Sequence, residues 1–271
     1  MSGFAGDHRG IKSINSDVKS IDSGPKVRAL TVDDISAALS AGMRDFRAAP
    51  TFGLIFGGIY AVGGITIFET ATSLDLGFLV YPLAAGFALI APLVAVALYE
   101  VSRLLERGET PTWDRVLAAI PHHGGRELGY MALVAVFGLI GWVYAAGFIY
   151  ALFFGVRPVE FGDFLSAVVS TPQGIAFLLV GNLVGALISA VLFAVSCVSY
   201  PMLIDRDVDF VTAMITSIRA VVASPGPMAG WAIFIAAMLA IAILPMFLGL
   251  FFVLPLLGHA TWHVYRRAVE S

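Results

Sequence analysis

A single cysteine, Cys197, occurs in 271 residues. It can form neither an internal disulfide framework nor a CxxC pair, so a stapled scaffold and a dithiol redox site are excluded, and the redox compartment cannot be read from cysteine usage. Charge is scarce too. Asp, Glu, Lys and Arg make up 13% of the chain, about half the roughly 25% of a soluble domain. A soluble globule needs that charge to face water, so this composition excludes one. The net charge of −3 argues against nucleic acid as a partner. There is no Walker loop, no GxSxG, no HExxH and no acidic pair inside an apolar run. The familiar nucleotide, acyl-transfer and zinc-hydrolase designs therefore drop out, as do ion-coupled transporters that keep carboxylates in the bilayer. The first apolar run starts near Pro50, too late for a cleaved signal peptide, and retention of the N-terminus is expected.

What the chain has in excess is apolar surface. Hydrophobic residues make up 59% of it, against roughly 45–50% in soluble domains, and the surplus must face lipid. Five long apolar stretches stand against the ~20 residues that a helix needs to cross a bilayer. They run from about Pro50 to Phe68, Gly77 to Leu98, Tyr130 to Phe153, Ile175 to Val198 and Met228 to Tyr265. The last is too long for one crossing and holds Pro245 near its middle, so it divides into spans at about 228–244 and 246–264. Charge supports the division. With six spans, every Lys and Arg except Arg157 lies on one side of the membrane, which the positive-inside rule makes the cytoplasm. Five spans would put Arg266 and Arg267 outside.

Residues 1–29 are rich in Ser, Asp, Lys and Gly without a sustained period, which predicts a disordered cytoplasmic tail. From Thr31, apolar residues at Val32, Ile35, Leu39, Met43 and Phe46 draw one stripe on a helix suited to the membrane surface, with Thr31 and Asp34 as a capping pair. A shift of 175 residues carries Asp34, Ala38, Met43, Arg44 and Pro50 onto Asp209, Ala213, Ile218, Arg219 and Pro225. A weaker third copy begins at Thr110, with Pro111, Trp113, Val116, Leu117 and Ile120. The expectation is an all-α, polytopic transmembrane helix bundle over residues 30–267: about six spans, in three repeats of an interfacial amphipathic helix plus a two-span hairpin. The interfacial helices fall near 31–48, 111–121 and 208–223.

Three segments carry a resemblance. Leu98-Tyr99-Glu100-Val101-Ser102-Arg103, Leu203-Ile204-Asp205-Arg206-Asp207 and Leu257-Gly258-His259-Ala260-Thr261-Trp262-His263-Val264-Tyr265-Arg266 are similar to signatures of the DUF2189 family of bacterial integral membrane proteins. The repeated unit also resembles the broader YciC-type membrane proteins. The resemblance runs from about Thr31 to Arg267. It implies a multi-pass protein of the bacterial inner membrane, and it implies no activity or cofactor.

Few side chains are candidates for a site. His259 and His263 share a helix face at i,i+4, and with His122 and His123 they offer imidazoles to a metal. HxxxH alone is a weak signal, and the preferred reading places both beside Trp262 and Tyr265 in an interfacial aromatic belt. Glu100 suits a proton or cation site, or a salt bridge to Arg103 or to Arg206 of the Asp205-Arg206-Asp207 turn; the bridge is preferred. Asn182, the strongly polar side chain well inside a span, sits among Gly181, Gly185 and Ser189, which favours helix packing over substrate contact. Glu69 and Asp75 read as solvated loop charges, and Pro82 and Pro92 as kinks in the second span.

No nucleophile with an orienting partner stands out, and no cofactor is expected. The function expected is that of a non-enzymatic inner-membrane protein, an accessory, assembly or scaffold subunit of a larger membrane complex, with both termini cytoplasmic. Its partners would be the lipid bilayer and other membrane-protein subunits. The alternative is a transporter or channel for a small or lipid-like solute, with a cavity lined by Asn182, Glu100 or Tyr99. A lipid- or metal-dependent enzyme comes third.

Overall fold

The computed structural model describes residues 24–74, 91–122, 125–155 and 161–270. The expected tail up to residue 23, the first part of the second span with Asp75 and Pro82, Arg157 and His123 lie outside the described residues. The helices are α1 Val32–Ala48, α2 Pro50–Ser73, α3 Ala91–Glu106, α4 Trp113–His122, α5 Gly125–Phe154, α6 Phe161–Ser170, α7 Pro172–Ser196, α8 Ser199–Asp205, α9 Phe210–Ala223, α10 Pro225–Ile243 and α11 Leu250–Ala268. The described extended pairing is one antiparallel bridge, Val27 to Val269. Four helical stretches are long and apolar enough to cross a membrane: 50–70, 125–154, 172–205 and 225–243. The last apolar run is broken into α10 and α11, with Pro245 in the connection; α10 is one of the four stretches and α11 is not.

Local chemistry sets the helix starts. Thr31 and Asp34 close a capping box on α1, each side chain taking the other's free backbone N–H. Asp209 caps α9 by accepting from Thr212 N at 2.9 Å. Thr171 caps α7, with proline in the first turn. Pro50 and Pro225 open α2 and α10, where a missing N–H costs nothing. The residues before those two prolines adopt the same backbone: Ala49 at φ −137°, ψ 57° and Ser224 at φ −139°, ψ 57°. The two junctions thus share one local backbone geometry.

The buried face of α1 takes in part of its apolar stripe, since Ile35 and Leu39 pack on the core, but its closest contacts are made by small residues. Val32 is 72% exposed, whereas Ala38, Ala41 and Gly42 are buried against α11. Small residues won because they let two backbones approach closely. A Cβ added at Gly42 would stand 2.5 Å from Ala260 N, one at Gly53 would stand 2.7 Å from Pro255 Cβ, and one at Gly57 2.7 Å from Leu250 O. Gly64 makes the notch for the ring of Phe247. The α1–α2 pair therefore clasps α11 along most of its length, and α11 is the buried hub of the bundle. At the far end, Met246 and Phe247 both take positive φ, 52° and 64°, so that the chain can turn back within a few residues.

Residues 24–29 were expected to belong to the tail, but they are built into the fold. Arg28 N donates to Ala268 O at 2.8 Å, Glu270 N to Lys26 O at 3.0 Å, and Leu30 N to Ser224 Oγ at 2.6 Å. These bonds hold residues 26–30, the residues that follow α11 and the α9–α10 junction together.

Candidate functional site

The three segments that carry the resemblance are far apart in sequence but meet in space. The C-terminal turns of α3 (Glu100 to Glu106), the end of α8 (Asp205, Arg206) and the last turns of α11 (His259 to Arg266) pack together, and α1 adds Asp45. The result is a polar junction at the end of the bundle where residues 26–30 meet the end of α11.

Its centre is an ion pair. Glu100 and Arg103, 2% and 7% exposed, make two parallel bonds, Arg103 Nε to Glu100 Oε2 at 2.6 Å and Nη2 to Oε1 at 2.8 Å. The bidentate geometry satisfies both partners, and the bond to Glu100 raises the Arg103 pKa further. Of the two partners foreseen for Glu100, Arg103 is therefore the one used. Arg206 instead gives its Nε to Tyr265 Oη at 3.1 Å. Tyr265 Oη in turn donates to Asp205 Oδ2 at 2.7 Å. Arg266 spans two carboxylates, Glu106 and Asp205, each at 3.1 Å. Burial works against the charge of Arg266, but those carboxylates outweigh it and raise its pKa. Trp262, fully buried, gives its Nε1–H to Glu106 Oε2 at 2.9 Å. Asp207 is exposed beside this network.

The two α11 histidines do not act as a pair. His259 is fully buried, and its Nδ1 lies 2.8 Å from Ser102 Oγ. His263, near the surface, bonds Asp45 Oδ2 through Nε2 at 2.7 Å. Burial works against the charge of Asp45, yet hydrogen bonds from His263 and Ser102 outweigh it and hold the carboxyl below its usual range. Among the described residues no group of three or more His, Cys, Asp or Glu side chains could hold a metal ion. The aromatic-belt reading also changes: Trp262 and Tyr265 are interior to the junction, tied to Glu106 and Asp205, and not an exposed girdle.

Asn182 stands apart. It lies on the exposed side of α7 and donates from Nδ2 to Leu178 O of its own helix at 2.8 Å. Fourteen residues separate it from Ser196, which puts it about 21 Å from the junction end of the helix. Its neighbour Gly185 does pack closely, under the indole of Trp142. Glu69 is exposed, but in the last turns of α2 and not in a loop.

Ser102, Asp45 and Glu106 were not singled out from the sequence. Asp45 had a readable signal: Ala38, Ala41, Gly42, Asp45 and Ala49 follow one helix face, and a carboxylate on a face of small residues has a partner to meet. Nothing local marks Ser102 or Glu106, whose partners lie 157 and 156 residues away.

No curated protein and no solved structure matches the chain. Residues 80–205, which contain α3 to α8, the first of the three converging segments and the start of the second, match the model of the DUF2189 family, described as predicted integral membrane protein.

Proposed function

We propose that this membrane protein is a non-enzymatic accessory, assembly or scaffold subunit of a larger complex in the bacterial inner membrane, with both termini on the cytoplasmic side. The observation that carries the reading is how little of its long spans the chain itself covers. No residue of the apolar window in 172–205 is buried, and in 125–154 the share is 17%. Continuous ridges stand open on both helices: Leu179, Leu183, Leu187 and Val191 on α7, and Phe137, Tyr144, Phe148 and Leu152 on α5, each more than 60% exposed. Meanwhile the ionisable groups of the junction are spent on one another, which suits a fixed scaffold better than a reaction site. The basic residues that flank the junction support a cytoplasmic placement of that end.

A transporter is the second reading. It asks Glu100, Tyr99 and Asn182 to line one cavity. Glu100 and Tyr99 are buried in the packed end of the bundle, and Asn182 faces outward well along α7, so the geometry supports this reading less.

The test is extraction from native membranes in mild detergent, native gel separation and mass spectrometry of comigrating chains. Stoichiometric comigration with other membrane subunits is expected, and Leu183→Trp with Leu187→Trp should abolish it while the thermal melt stays unchanged. Migration of the wild type as a lone chain would overturn the proposal.

A further inference from the structure

Independently of any partner subunit, we propose that Arg44 and Arg47 of α1 hold the phosphate of an anionic phospholipid on the side of the membrane where α2 begins. Asp33, Ser36, Ser40, Arg44 and Arg47 follow one another at steps of three and four residues, hence along one helix face. All five are exposed, and they lie opposite Ala38, Ala41 and Gly42, which are buried. The face is polar, carries both cations at the end next to the membrane span, and is covered by no described element.

The two guanidiniums are spare. Among the described residues the ion pairs take up Arg28, Arg103, Arg115, Arg126, Arg206 and Arg266, and neither Arg44 nor Arg47 is in one. The carboxylate that lies between them in the chain, Asp45, is turned to His263 at 2.7 Å. Complementing the helix dipole needs a cation in the last turn only. Arg47 fills that place, so Arg44 is left over. Three residues apart, the two are neighbours on the helix surface, and guanidiniums meet phosphate oxygens with paired N–H donors that a lysine ammonium lacks.

Position selects the source of the phosphate. Arg44 and Arg47 stand within two turns of Pro50, where the apolar stretch 50–70 begins, so both belong to the headgroup layer, roughly 5–7 Å deep on each side of the hydrocarbon. On α2, Ile55, Ile59 and Val62 form an open ridge, 46%, 58% and 62% exposed, against which acyl chains lie. Helix α9 leads into α10 through Pro225 in the same way but shows the opposite chemistry. Its exposed face is Val211, Ile215, Ile218 and Val222, between 40% and 71% exposed. Its Arg219 is half-buried, with Nη1 3.4 Å from the place of a Cβ on Gly24. An apolar face sinks toward the acyl chains, whereas a basic one stays level with the phosphates.

The test is native mass spectrometry of the full chain in neutral detergent, with equal amounts of phosphatidylglycerol and phosphatidylcholine added. The wild type should retain phosphatidylglycerol in preference, each arginine contributing about fivefold. Arg44→Gln with Arg47→Gln should therefore lower the preference by about 25-fold, with an unchanged thermal melt, since both side chains are exposed. Arg126→Gln removes one charge from an exposed arginine that is already paired, with Glu127, and should change the preference by less than about twofold. If the double variant fails to fold, Arg44→Gln and Arg47→Gln taken singly carry the test, each with a loss of about fivefold. No preference in the wild type, an unchanged preference in the folded variants, an equal loss in Arg126→Gln, or displacement of the lipid by inorganic phosphate at equal concentration would each overturn the proposal.

Discussion

Gly42→Ala gives the sharpest test of how α1 and α11 are joined. The added methyl would sit 2.5 Å from Ala260 N and 2.8 Å from its Cα, where carbon contacts prefer roughly 3.5–4.0 Å. The obstacle is backbone, which cannot rotate away, so the helices must part by about 1 Å. Overpacking of this kind costs about 1–3 kcal/mol, and the neighbouring Asp45–His263 bond of 2.7 Å would be stretched by the same movement. Glycine to alanine within a helix otherwise gains up to about 1 kcal/mol, and Gly141, with nothing within 4 Å of an added Cβ, isolates that term. The assay is thermal unfolding of both variants in one detergent, at about 2–4 °C per kcal/mol for a chain of this size. Gly141→Ala should melt at or above the wild type and Gly42→Ala several degrees below. Equal melting of the two variants would refute the close crossing of α1 and α11.

Other perturbations follow from the junction and the turn. Glu100→Gln strands the buried guanidinium of Arg103 and should cost about 3–5 kcal/mol, whereas Glu100→Met with Arg103→Leu should come close to neutral; denaturant titration of the single and the double variant decides it. Asp45 has a lowered folded pKa, so its contribution is present above the unfolded carboxylate range and lost as pH falls through the folded value; acid melting curves should show Asp45→Asn less sensitive to that fall than the wild type. Asp34, brought to about 2 by Arg28 and the Thr31 backbone, predicts the same sign for the α1 cap, with Thr31→Ala costing about 1 kcal/mol at neutral pH. Met246 holds φ at 52°, so Met246→Gly should raise the melting temperature by a few degrees through relief of about 1–2 kcal/mol of left-handed strain.

Much of this molecule was legible in the chain. Composition and run length demanded a helical membrane protein, because hydrocarbon cannot accommodate charge and a helix has a fixed rise per residue, and Pro245 marked the break in the last apolar run. Thr31, Asp34, Asp209, Pro50 and Pro225 marked helix boundaries through capping chemistry that acts within a few residues. What the sequence could not show is which helix face meets which partner. The stripe through Val32 was expected at the membrane surface, but Ile35 and Leu39 pack on the core and Ala38, Ala41 and Gly42 are buried, since small residues let two backbones approach closely. Glu100 could be given its partner from sequence because Arg103 is one turn away. Ser102 with His259, Trp262 with Glu106, and Asp45 with His263 join positions 156 or more residues apart. Such pairs are set by how whole helices cross, and only the assembled bundle decides them.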